Sequence, residues 1–115
     1  MNIYYLQKFW FYEQYYNDTS VHSHYLTVEL PQVNIDAQIW LTIFGPGVSF
    51  DKGKAGVAAA GIKSYRYIDG SGILQYHEFS NWESHVRVEQ CTEITFSFKV
   101  SLAWAKAEGI IYWRN

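Results

Sequence analysis

From Thr92 to Lys106 the chain alternates. Ile94, Phe96, Phe98, Val100, Leu102 and Trp104 hold one parity, and Thr95, Ser97, Lys99, Ser101, Ala103 and Ala105 hold the other. Spacing of two is that of a strand with one buried face, whereas a helix would scatter the large residues around its circumference. On this register Phe96, Phe98, Val100 and Leu102 belong to the core. Ser97 and Ser101 lie on the wet side, where replacement by alanine has little effect.

The same period appears at Ser23 to Leu30, with His24, Leu26, Val28 and Leu30 on one face, and Pro31 stops that run or marks an edge. Ile39, Leu41 and Ile43 share a face from Gln38 to Phe44, with Trp40 and Phe44 on the other. Ile62 to Ile68 and Ile73 to Phe79 flank Asp69-Gly70-Ser71-Gly72, a hairpin signal. Ser84 to Glu89 alternates too, and Ile110 to Arg114 closes the chain after a turn at Glu108-Gly109. Residues 3–16 suit neither period cleanly, and their aromatic density favours a strand. Asn17 to Ser20 then forms a turn, Gly45-Pro46-Gly47 breaks the sheet, and Val57 to Ala60 suits one helical turn. The expected fold is all-β: a single antiparallel domain over residues 1–115, a sandwich or jelly roll of seven or eight strands.

Composition narrows the classes. At 115 residues, with 49% hydrophobic and 17% charged, the chain suits one folded domain and not a disordered one. The net charge of -2 supplies no basic field for nucleic acid. No apolar run approaches the ~20 residues of a membrane span. Cys91 is the only cysteine, which excludes an internal disulfide. The start of the chain lacks the pattern of a signal peptide, so synthesis in the cytoplasm is expected. Aromatic residues reach 19%, and Tyr and Trp favour surfaces that are buried part of the time. Residues 1–16 hold enough of them to leave one face apolar beyond its own core, which points to a homo-oligomer through this segment.

Candidate chemistry is sparse. His22-Ser23-His24 sets two imidazoles on one strand face, and His77 precedes Asn81 by four residues. These positions resemble parts of the two motifs of the cupins, which are metal-binding jelly rolls. That resemblance implies His22, His24 and His77 as ligands, although Tyr16, Asp36, Gly72 and Leu74 stand where the motifs carry other residues. The stretch from Val86-Arg87-Val88 through Phe98 to Trp104 and Gly109 resembles the end of H-type lectins and some phage tail-fibre knobs. No serine, cysteine or threonine sits in a nucleophile motif, and Gly53-Lys54 lacks the rest of a phosphate loop. No cofactor is expected.

Tyr65, Tyr67 and Tyr76 lie on the hairpin strands, with Asp69 and Gln75 beside them and Trp82 in the next loop. An aromatic plane next to hydroxyl-binding polar groups is a way to hold a sugar. The leading expectation is a non-enzymatic binding module for a glycan or another small polar ligand, with those six residues as its site. A virion or tail assembly protein and a small metal-dependent enzyme of cupin type are the alternatives.

Overall fold

The computed structural model describes residues 4–15, 20–43, 57–101 and 103–114. The proposed turn at Asn17 to Ser20 (save Ser20), the Gly45-Pro46-Gly47 break, and Tyr16, Phe44 and Leu102 lie outside them. The described residues form six strands: β1 (Tyr4–Tyr15), β2 (His22–Ile43), β3 (Val57–Ile68), β4 (Leu74–Glu83), β5 (His85–Ser101) and β6 (Ala103–Arg114). All pairings are antiparallel, in one sheet of order β1-β6-β2-β5-β3-β4. No helix among the described residues is long and apolar enough to cross a membrane, which says nothing of a β-barrel.

One continuous sheet of six strands thus stands where a sandwich or jelly roll of seven or eight was expected. The count falls because three apparent breaks lie inside strands. Pro31 sits within β2, where the ladder to β5 skips from Glu29 to Val33 and Gln32 adopts a φ of 54°. A residue without an N–H is tolerated at such a bulge because the ladder is already interrupted there. Gln90, at φ 53°, marks the matching irregularity inside β5. The side chains of Gln32 and Gln90 are hydrogen-bonded to each other at 3.1 Å, and the Gln90 backbone N–H donates to Asn34 Oδ1. The β2 bulge also switches which parity faces inward. Val28 and Leu30 are buried before the β2 bulge, and Ile35, Ala37 and Ile39 after it.

Glu108-Gly109 is likewise no turn but the middle of β6. The long alternating run ends at Ser101, and Trp104 belongs to β6. There the buried parity is Ala105, Ala107 and Ile111, so two small residues on the expected wet side are core. Gly109 faces the same way, and a Cβ on it would meet Phe9 Cζ at 1.8 Å. This column of small residues lets the Phe9 and Phe11 rings pack closely over β6, roughly edge-to-face with each other. From there they reach β5, with Phe9 at 4.1 Å from Phe96 and Phe11 at 5.8 Å from Phe98 between ring centroids. β1 stands three places from β5 in the sheet, so the sheet curls until the two meet.

Val57 to Ala60 is strand, not helix: it continues β3 opposite Val100 and Phe98. Ser97 and Ser101 are buried, which overturns the expectation of a wet side on β5. Gly61 pairs with Ser97, and the Trp82 side chain lies against Gly61, so β4 covers this part of the face. Cys91 is fully buried inside β5, and burial pushes its thiol up to about 11. It is therefore inert as a nucleophile.

Because Phe98 is fully buried and faces both Phe11 and His24, Phe98→Ala should lower unfolding stability by about 3–5 kcal/mol. Chemical denaturation followed by tryptophan fluorescence measures this. A loss below about 0.5 kcal/mol, the size of an ordinary surface change, would place the curl elsewhere.

Candidate functional site

The hairpin brings together four of the six residues expected to bind ligand and separates two. Tyr65 faces His77 and Tyr67 faces Gln75 across β3 and β4. The Tyr65 ring lies 5.6 Å from Tyr67, 5.2 Å from His77 and 5.8 Å from Phe79. Burial, then the neighbouring Tyr67 and Cys91, raise the Tyr65 hydroxyl above its ordinary pKa. These rings continue the inner face, where Tyr65, Tyr67 and Phe79 pack on the core.

Asp69 is committed to the turn. Its Oδ1 accepts the Ser71 and Ile73 N–H groups at 2.8 and 3.0 Å, and its Oδ2 accepts Gln75 Nε2 at 2.8 Å. The Ile73 N–H, then Gln75 and Ser71, hold its carboxyl below the usual range. Both polar groups expected to grip a ligand thus grip each other.

Tyr76 and Trp82 point to the opposite face. Arg66 lies over Tyr76 at 4.9 Å and Lys99 over Trp82 at 5.1 Å. Trp82 sits in β4 and not in a loop, and it is half-buried, so its truncation disturbs the fold. The histidines do not converge either. His22 and His24 are on β2, two intervening strands away from His77 on β4. His24 Nε2 lies 3.3 Å from Glu13 Oε1, close enough for an ion pair though not aligned for a hydrogen bond. Among the described residues no three His, Cys, Asp or Glu side chains are grouped to hold a metal.

A different constellation occupies the outer face of β1, β6 and β2. Glu108 is directly opposite Trp10 on one side and Trp40 on the other. Trp10 is 68% exposed and Trp40 44%, so two indoles flank a carboxylate in one cross-strand row. Trp40 Nε1 donates to Glu108 Oε2 at 3.1 Å, and Lys106 pairs with Glu108 Oε1. Lys106, then the Trp40 N–H, hold the Glu108 carboxyl below its usual range, so it is ionised at neutral pH. The row is bordered by two open depressions. One, of about 320 Å³, is lined by Trp10, Trp40, Glu108, Gly109 and Ile110 among others; the second, of about 410 Å³, is lined by Trp10, Tyr12, Lys106 and Glu108.

This arrangement supplies aromatic planes, an oriented acceptor and a donor, the set that holds a neutral polyhydroxylated ligand. Trp40 carries a signal in the sequence, since it faces away from Ile39 and Leu41. Its partners Glu108 and Trp10 are distant in the chain, and only the register unites them.

A scan against protein-family models, a search of curated proteins and a search of solved structures found no match to this chain.

Replacing Trp40 by phenylalanine removes one donor from Glu108 and should raise its carboxyl pKa toward the ordinary value. Lys106→Gln should raise it further, because the lysine is the larger cause. Carbon-detected NMR titration of the Glu108 carboxyl reads both shifts; an unmoved midpoint in both variants would mean that the row is not held as described.

Proposed function

We propose that this protein is a non-enzymatic binding module for glycans, and that its site is the outer row Trp10–Glu108–Trp40 and not the hairpin. The observation that carries the reading is the pairing of two exposed indoles with a fixed, ionised carboxylate between them. Sugars present a C–H face to a ring and hydroxyls to an acceptor, and this row offers both at once. At the hairpin the Asp69 carboxylate is taken up by the turn and by Gln75, so it is less available to a ligand than Glu108.

A glycan array probed with the full chain tests the reading. Binding is expected, and it is expected to persist in EDTA because the row uses no metal. Trp10→Ala should weaken it about thirtyfold, the effect of truncating an aromatic anchor worth about 2 kcal/mol. The thermal midpoint should hardly change, since Trp10 is mostly in solvent. A blank array, or a Trp10→Ala variant that binds as well as the parent, would refute the proposal.

The second reading is self-association, as an oligomeric lectin or as an assembly component of a virion or tail. What favours it is that β1 pairs with β6 alone among the described residues and carries Leu6, Trp10 and Tyr12 exposed. An edge strand with an apolar face is a template for another chain. Light scattering should then give a mass above 13.4 kDa, and Leu6→Lys should lower it toward that of one chain. A monomer at high micromolar concentration excludes this reading without touching the glycan site.

A further inference from the structure

The two depressions share Trp10 and Glu108, while Trp40 borders only the first and Tyr12 only the second. The first depression lies on the Lys8 and Ile110 side of the row Trp10–Glu108–Trp40 and the second on the Tyr12 and Lys106 side, so the two follow one another along the strands. Trp10 and Tyr12 are alternate residues of one strand, about 7 Å apart, and each depression has room for one pyranose unit. Glu108 sits at the boundary of both. Each of its oxygens accepts one donor, from Lys106 and from Trp40, which leaves a lone pair on each for a further hydroxyl. Both depressions are open to solvent and not enclosed cavities.

Resting on the glycan reading above, we infer that the site takes an internal stretch of a linear oligosaccharide, two consecutive pyranose units at a time, one in each depression. Trp10 is the shared plane, Trp40 and Tyr12 are the outer ones, and Lys106 donates to the unit in the second depression. A chain joined through equatorial bonds fits, because it stays extended and shows its C–H faces to the rings. A branched or axial linkage would lift the second unit off Tyr12.

Calorimetry with cello- and chito-oligosaccharides of one to four units tests this on the full chain. The second unit should raise affinity about tenfold or more, and the third and fourth should add less than about threefold. Trp40→Ala and Tyr12→Ala should each reduce disaccharide affinity to near that of the monosaccharide, whereas Trp10→Ala should weaken binding of both about thirtyfold. Equal affinity for one unit and two, or Tyr12→Ala leaving the disaccharide unaffected, overturns the inference while the glycan reading stands. So does binding on the array confined to branched or terminal structures. A blank array sinks both.

Discussion

The Phe9 ring, lying over Gly109 and against Phe96, is the contact on which the remaining structure depends. A sheet of six strands with one apolar face must hide that face, and this chain has no described helix to lay on it. It hides the face by curling. The curl is possible only where β6 is thin, and Ala105, Ala107 and Gly109 make it so. Phe9 and Phe11 then reach Phe96 and Phe98, and aromatic pairs of this kind add about 0.5–1.5 kcal/mol each beyond the area they bury. A side chain at Gly109 would fill the space that Phe9 occupies and hold β1 away from β5. The bulges at Gln32 and Gln90 serve the same end, since they bend the two longest strands where the sheet must turn.

Placement of the candidate site follows from that contact. With Phe9 and Phe11 turned inward, period two sends Lys8, Trp10 and Tyr12 outward. In β6 the inward set of Ala105, Ala107 and Gly109 sends Lys106 and Glu108 outward beside them. In β2 the bulge decides the parity: inward Ile39 leaves Trp40 outward. The aromatic row is thus the reverse side of the core contact, on the same three strands. The side chains of the row are carried by strands whose other faces are packed into the core.

Much of this was legible in the sequence, and what was not has a physical cause. The all-β class, the Asp69–Gly72 hairpin and the inward set of Phe96, Phe98 and Val100 followed from alternation and turn chemistry, which are local. The bulges escaped because one extra residue looks like a strand end when only one chain segment is in view, as at Pro31; Gly109, a strand breaker by propensity, is overridden by regular pairing on both sides. The burial of Ser97 and the exposure of Trp10 depend on which strand lies across from them. The hairpin rings are adjacent as the sequence suggests, but sequence shows that Asp69 and Gln75 lie beside them without showing that they bond to each other.

The two aromatic faces differ in what their polar groups have left to give. At the hairpin, Asp69 accepts three hydrogen bonds, two of them on one oxygen, and its nearest side-chain donor is already spent on it. That carboxylate makes a turn rigid. At the outer row, Glu108 accepts one bond per oxygen, and the same bonds fix its position and its charge. A carboxylate that is anchored but not saturated loses little freedom when a hydroxyl arrives, so ordering costs less at the moment of binding. The open indoles on either side add area that the fold does not need for its own core. Unspent hydrogen-bonding capacity beside unburied aromatic surface, rather than aromatic density alone, separates a face suited to a ligand from one that completes the protein's own packing.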